Sequence, residues 1–414
     1  MTCPPGAHSR RSLRASAPSP AAGRASAPSP AADAQAADLA TEYLLDPAVA
    51  FLNHGSFGAV PRPVFEERAR IQRECERNPV HALAEVYDAA LDAARTRLGV
   101  ALGVSADELA WVENATTGLN LIARSLVGAL SSRDEVLVTE LEYGAQQLAW
   151  KWLCERHGVE YREARIAIPV AAPHAIAEEL LGRLSERTRV VLMSHITSDT
   201  ALRVPVELVC TELTRRGIVS VIDGAHAPGQ IALAMGDAPW DYYVGNLHKW
   251  FAAPRGAAFI HASRDRQRQL DPLVVSWGAS NHSDSLARRT QWSGTSDPSA
   301  WLTVPSALDF HERRLRPLAP GARALLAWVG AELAGLGLRP CALEPDPELL
   351  MASFLLPGRD VSERVEALLA ADHVQALVKH ESPYGPLLRV SVAWYVTRAD
   401  AERLIAALAG ALRA

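Results

Sequence analysis

The sequence predicts an α/β protein with a mostly parallel sheet, followed by a smaller α+β part. Three observations carry this. Short apolar runs of strand length alternate with amphipathic stretches of helix length from about residue 60 to residue 260. The strand runs are apolar throughout rather than alternating, as strands covered on both faces are. After residue 298 the pattern changes to long helical stretches with two separate apolar runs.

The elements follow in order. Pro63 opens a helix that continues to Arg77, and a second helix covers Leu83 to Arg97. Leu109–Val112 reads as a strand and Thr117–Val127 as a helix. Glu135–Val138 is a strand, and Gln146–Arg156 a helix. A helical stretch over 174–185 precedes the strand Val190–Met193. Pro205–Arg216 is helical, and Ile218–Ile222 is a buried strand. Tyr242–Gly245 and Ala257–Ile260 are two more strands. A long helical stretch then runs from 298 to Ala334, with Pro305, Pro317 and Pro320 marking turns or kinks. An apolar run at Met351–Leu356, a helix at Val361–Ala370, a strand at Leu387–Val392 and a helix from Arg398 complete the smaller part. The expected organisation is a tail over 1–40, a large domain over 46–305 and a small domain over 306–414.

The tail differs in kind. Arg14–Ala22 reads RASAPSPAA, and Arg24–Ala32 repeats it. Such a Pro/Ser/Ala string has too little large apolar surface to offset its ordering entropy, so residues 1–40 are expected to be disordered. Ser9–Leu13 superficially resembles a twin-arginine signal, but prolines and an arginine interrupt the apolar stretch that should follow.

Composition narrows the function classes. Of 414 residues, 49% are hydrophobic and 21% charged, which suffices for a large buried core. The net charge of -5 gives no electrostatic case for nucleic acid or an anionic membrane. No run of eighteen apolar residues exists, so no membrane span is expected. The five cysteines are widely spaced and form no paired motif. Reduced thiols in the cytoplasm are therefore expected rather than disulfides or zinc. The histidines are not at ligand spacings either, and no metal site is expected.

Lysine supplies only three of the 42 basic residues, at 151, 249 and 379, and the rest are arginine. A GC-rich coding bias favours arginine, which replaces lysine at most solvated positions. It cannot form a Schiff base, because its guanidinium stays protonated. Each retained lysine is therefore a candidate for chemistry. Lys249 has the richest context. Asp223-Gly224-Ala225-His226 follows one apolar strand, and Gly245-Asn246-Leu247-His248-Lys249-Trp250 follows the next. Ligands of parallel sheets bind beyond the carboxyl ends of the strands. A carboxylate and a lysine on adjacent exits suit pyridoxal 5′-phosphate, the lysine supplying the imine nitrogen and the aspartate pairing with the pyridine nitrogen. Taken singly, Asp-Gly after a strand is an ordinary turn, and a His-Lys pair is ordinary surface.

These strings belong to a longer ordered set. It comprises Phe51–Gly58, Asn114–Thr117, Glu142–Ala145, Ser194–Ser198, Gly294–Asp297 and Leu388–Ser391. Together they span residues 50 to 400, and with them the chain resembles the class V aminotransferase family, nearest its isopenicillin N epimerase-like branch. The resemblance implies fold type I of the pyridoxal-phosphate-dependent transferases, with a mostly parallel sheet of seven strands and a homodimer with shared active sites. It implies that Lys249 holds the cofactor as the internal aldimine and shuttles the α-proton. Asp223 pairs with the pyridine nitrogen, His226 bonds the phenolic oxygen, and Tyr143 lies near the ring face. Thr116 and the amides of Ala115 and Thr116 hold the phosphate, which also makes physical sense at a helix start. His248 adds a phosphate contact, and Thr295 reaches the neighbouring subunit's cofactor. Arg389 clamps the substrate α-carboxylate, which suits a planar bidentate donor. Asn53, His54, Gly55 and Ser56 border the substrate.

Other residues carry plainer readings. Tyr143 is equally a core aromatic, and His195 equally a core histidine. Trp250 is expected to pack, Lys151 to be solvated and Lys379 to lie outside the site. The role of Arg255 is open. The stretch Lys379–Pro386 holds no cysteine, unlike the nucleophile loop of the family's desulfurases, so the persulfide route is not expected. Tyr395 is followed by Val396, not the asparagine many relatives have, so substrate contacts from that loop are not carried over. The resemblance implies epimerisation or racemisation through the aldimine and an α-carbanion. Carbon–sulfur or β/γ-elimination by a lyase, and transamination or C–N bond formation, share that path and stay open. Loss of the lysine or aspartate would favour a catalytically silent dimeric scaffold, and both are present.

Overall fold

The computed structural model describes residues 27–280 and 284–413. The core of the fold is a seven-stranded sheet formed by β2 (Leu109–Val112), β3 (Glu135–Thr139), β4 (Glu160–Ala164), β5 (Thr188–Ser194), β6 (Val219–Asp223), β7 (Tyr242–Asn246) and β8 (Ala258–Ala262), in the order β2-β8-β7-β6-β5-β3-β4. β4, β3, β5, β6 and β7 pair in parallel. β8 is antiparallel to both β7 and β2, so β2 runs with the others and β8 alone runs against them. Every residue of β2, β3, β6's last four positions, β7 and β8 is buried. That burial on both faces explains the uninterrupted apolar runs. β4 escapes the sequence reading because it is an edge strand, Glu160-Tyr161-Arg162-Glu163-Ala164, with charges facing water.

The helices that cover the sheet start and stop on recognisable signals. α5 (Ala115–Val127) is capped by the Asn114 side chain, which accepts from the Thr117 amide at 2.9 Å. α6 (Gly144–His157) ends at Gly158 in the left-handed conformation, as α4 (Tyr87–Leu102) ends at Gly103. The expected helix over 83–97 is divided by a break at Val86, with a wide helical turn at His81–Glu85 before α4. The expected stretch from 298 to 334 is broken into Ser299–Leu302, Val304–Phe310 and Ala319–Gly335 with tight or wide turns between them, where Pro305, Pro317 and Pro320 interrupt the backbone ladder.

A four-stranded antiparallel sheet carries the C-terminal part. Its strands are β9 (Arg339–Pro340), β10 (Met351–Leu355), β12 (Leu377–Lys379) and β13 (Leu387–Ser391), in the order β12-β13-β10-β9. The N-terminal segment reaches across to it. β1 (Ala50–Phe51) pairs with β11 (Val374–Gln375), which crosses the expected domain division. The tail expectation is corrected at its end. Pro30–Ala40 form helix α1, capped by Ser29, with Ala36 and Leu39 buried. Asp33 accepts a bond from the Arg398 amide at 2.6 Å, which ties α1 to the start of the last helix. Alanines that read as low complexity also have high helix propensity, and burial of Leu39 supplies the anchor. Residues 1–26 of the expected disordered tail lie outside the described residues. No helix among the described residues is long and apolar enough to cross a membrane. Cys75, Cys154, Cys210 and Cys341 are free thiols.

Candidate active site

The co-directed strands deliver their chemistry to one edge of the large sheet. Asn114–Thr116 follow β2, Tyr143 follows β3, Ser194 ends β5, Asp223 ends β6 and Asn246 ends β7. All of them line one cavity of about 420 Å³, together with Lys249, His226 and His248. Gly55, Ser56, Leu377, Lys379 and Arg389 close it from the side of the smaller sheet. The volume is that of a small-molecule site.

Lys249 is enclosed in this cavity. Burial, reinforced by the Arg389 guanidinium, lowers its amine to about 7. Its Nζ lies 2.9 Å from His226 Nε2. The indole of Trp250 donates to His226 Nδ1 at 3.3 Å, so the neutral imidazole carries its proton on Nε2, facing the lysine. Burial also holds the imidazole well below its usual pKa and so neutral. Trp250, expected only to pack, thus sets the tautomer as well. Asp223 is buried, and burial raises its carboxyl despite a bond from the Ala225 amide to Oδ1 at 2.9 Å and the nearby lysine. A partner that carries positive charge into the cavity would favour its carboxylate form.

The lysine loop is held from behind. Gly58 has φ of +71°, and a Cβ there would lie 2.0 Å from the His248 carbonyl. Glycine therefore lets the N-terminal segment close over the lysine backbone. This segment corrects the expectation for His54. The side chain is fully buried rather than at the substrate edge, and its Nε2 donates to the Lys249 carbonyl at 3.1 Å. Its Nδ1 accepts from the Tyr395 hydroxyl at 2.9 Å. In the short helix His54–Phe57, Gly55 and Ser56 reach the cavity while His54 turns inward, against Trp250 and Trp394.

Arg389 is buried on β13, and burial lowers it to about 10. Its guanidinium donates to the Ser198 carbonyl at 2.8 Å, Ser56 Oγ at 2.9 Å and Asn53 Oδ1 at 3.3 Å. Asn53 does not line the cavity. It accepts from Ser56 Oγ at 2.7 Å and orients the arginine instead. Arg389 Nε is buried with no hydrogen-bond partner in the protein, so donor capacity remains on the guanidinium.

The N-terminus of α5 opens on the same cavity. The Ala115 amide is already used, donating to Asn246 Oδ1 at 2.8 Å. This corrects the expectation that it is free for a phosphate. The Thr116 amide sits in the first helical turn, where no i−4 carbonyl exists. His248 Nδ1 donates to the Ala257 carbonyl at 3.3 Å, and its ring lines the cavity. Tyr143 caps α6 and is 49% exposed, so it is not a core aromatic. Thr295 is exposed and stands outside the cavity of its own chain. His195 is a core histidine, bonded to the Tyr243 hydroxyl at 3.0 Å. None of the four described cysteines lines the cavity.

Sequence reasoning missed Asn246, Ser198, Asp199 and Gln146, and it placed Lys379 outside the site. Asn246 stood within the lysine string and Ser198 within the Ser194 string, but nothing local tells which neighbour of a motif faces inward. Lys379 lines the cavity because β12 lies beside β13, an adjacency set by strand pairing. A buried amine, a carboxylate at a strand exit, an imidazole N–H beside the amine and a free helix amide together fit an aldehyde-bearing pyridine phosphate.

The comparisons agree with this geometry. The chain is 36% identical over 387 residues to an isopenicillin N epimerase of Amycolatopsis lactamdurans, covering 88% of this chain and 95% of that one. It is 35% identical over 390 residues to an isopenicillin N epimerase of Streptomyces clavuligerus, with the same coverage. In fold it is similar to the solved complex of the cystine C–S lyase C-DES with cysteine persulfide, at a TM-score of 0.75 and 20% identity over 87% of this chain and 97% of that one. Residues 59–347 match the model of the aminotransferase class-V family, and the chain belongs to that family.

Proposed function

We propose that this protein is an isopenicillin N epimerase-like enzyme that uses pyridoxal 5′-phosphate to invert the α-carbon of an amino-acid substrate. The observation that carries the proposal is the convergence of the Lys249 amine, the Asp223 carboxylate and the Arg389 guanidinium on one cavity. The similarity to epimerases over 88% of the chain supports the branch.

When bound, the cofactor supplies an electron sink for the charge left on the α-carbon. Each residue then has a part. Lys249 would hold the cofactor's aldehyde carbon, and its Nζ would take the substrate's α-proton. A buried amine lowered to about 7 is a competent base at neutral pH. Asp223 would pair with the ring nitrogen and favour its protonated form. His226 offers its Nε2–H to the phenolic oxygen. Tyr143 would lie near the ring, and the Thr116 amide, its hydroxyl and His248 would hold the phosphate. Arg389, oriented by Asn53 and Ser56, takes the α-carboxylate. Gly55 and Ser56 border the substrate, and His54 acts from behind by fixing the lysine loop. The exposure of Thr295 supports a homodimer in which Thr295 of the partner subunit completes each phosphate site. The enzyme is read as cytoplasmic, with a large domain over 46–305 and a small one over 306–414.

The test is incubation of the holoprotein with isopenicillin N in deuterated water, alongside L-amino acids and cysteine sulfoxides. The expected result is α-deuterated substrate recovered as both epimers. Release of pyruvate or ammonia with little inversion would replace the epimerase reading by a lyase one.

A further inference from the structure

Inversion at carbon requires a proton to arrive on the face opposite the one it left. Lys249 enters the cavity from the loop after β7. We propose that Lys379 is the second acid–base residue, delivering the proton from the wall built by the smaller sheet. The proposal rests on the epimerase reading above.

Three independent observations support it. The first is position. Lys379 lines the same cavity as Lys249 and Arg389. In the β12–β13 ladder Leu377 stands opposite Arg389, and Lys379 is two residues further along. Side chains two apart on a strand share a face, so Arg389 and Lys379 are diagonal neighbours, with a spacing of about 7–8 Å. A substrate held by its carboxylate on Arg389 therefore presents its α-carbon within reach of a four-carbon side chain.

The second is the partner. Lys379 is ion-paired with Asp199, which also lines the cavity. Asp199 acts electrostatically on both Arg389 and Lys249. Its loop is fixed, because Ser353 Oγ donates to the Asp199 carbonyl at 2.7 Å and Arg389 bonds the preceding residue, Ser198. A fixed carboxylate orients the Lys379 side chain. The Lys379 side chain is 39% exposed, so its proton exchanges with water.

The third is residue type. The chain uses arginine for nearly every basic position, yet two of its three lysines line this one cavity. The third, Lys151, is exposed on α6. A purely electrostatic contact at 379 could be arginine, whereas a proton donor could not, because the guanidinium does not give up its proton.

The proton balance is simple. Lys249 Nζ takes the α-proton as the C–H bond breaks. An N–H bond of the Lys379 ammonium then breaks as the new C–H bond forms on the other face. Lys379 regains a proton from water, and Lys249 loses one to it. The reverse direction exchanges the two roles.

The decisive variant is Lys379→Arg, which keeps the charge and removes the proton transfer. Holoprotein is incubated with isopenicillin N in deuterated water, and α-deuteration and inversion are read in one sample, with the cofactor's visible absorbance recorded beside them. The expected result is unchanged absorbance, deuteration with retention at the wild-type rate, and inversion slowed by about 100-fold or more, the usual contribution of a positioned acid. Inversion at the wild-type rate in Lys379→Arg overturns the proposal and leaves the epimerase reading standing. Loss of exchange and inversion together makes Lys379 a binding or structural residue and overturns it as well. Wild-type protein that never inverts overturns both readings. Lys379→Met is the second variant, and the same split between exchange and inversion is expected of it.

Discussion

Lys249 shows what one enclosed site does to a side chain. Removal from water disfavours the ammonium, and Arg389 adds to the effect. The neutral amine is the nucleophile, so its fraction rises with pH up to about 7 and then levels. Cofactor capture by apoprotein is expected to rise about tenfold per pH unit below that point and to plateau above it. Stopped-flow absorbance measures this, and a rate that keeps climbing to pH 10 would place the amine in water. Lys249→Ala is expected to abolish the visible absorbance of the purified protein and the fixation of cofactor by borohydride. For Arg389→Ala the Michaelis constant for an α-amino acid is expected to rise about 10- to 100-fold, from about 1.5–3 kcal/mol for a charge-assisted bond. An unchanged constant would put the carboxylate elsewhere. Lysine and arginine were both legible as candidates, from scarcity in one case and family resemblance in the other. The inward turn of His54 was not, because a tetrapeptide helix gives no period to read.

Helix and strand ends decide whether these residues meet. The Asn114 cap fixes the first turn of α5, beside the Ala115 amide that Asn246 already occupies. Asn114→Ala is expected to cost about 1 kcal/mol of stability and to weaken cofactor binding with it, because the same turn faces the cavity. Thermal melts and equilibrium reconstitution read the two effects separately. Stability lost with affinity intact would detach the cap from the phosphate site. The strands of the large sheet could be read in advance because they are buried on both faces and therefore apolar throughout. β4 and β12 could not. β4 lies at an edge, and every residue of Leu377–Lys379 is half-buried, so neither carries a continuous apolar run.

At the scale of the whole molecule, the cavity lies between a sheet built from residues 109–262 and one built from residues 339–391. The N-terminal segment joins them, pairing with β11 and packing over the lysine loop. Helix α1 extends that embrace. Deleting residues 1–40 is expected to lower the melting temperature, since the loss of buried Leu39 alone is worth about 1.5–3 kcal/mol. An unchanged melting temperature would mean that α1 contributes nothing to the fold. Light scattering of holoprotein is expected to give a dimer, and a monomer with full activity would remove Thr295 from the site.

The sequence by itself determined the fold class and the cofactor chemistry, and it proposed Lys249 and Asp223 as the central residues. Those rest on local facts: apolar runs of strand length, a carboxylate and a lysine at consecutive strand exits, and ordered motifs along one chain. Only the tertiary structure decided which neighbours of each motif face the cavity. It turned His54 behind the lysine, committed the Ala115 amide to Asn246, gave Trp250 to His226 and brought Lys379 in beside Arg389. The physical reason is the same in each case. Side-chain direction and hydrogen-bond allocation are set by which elements pair and in what register, and the three hydrogen-bonded partnerships join residues 24 to 195 positions apart, which leaves no local signal of their meeting.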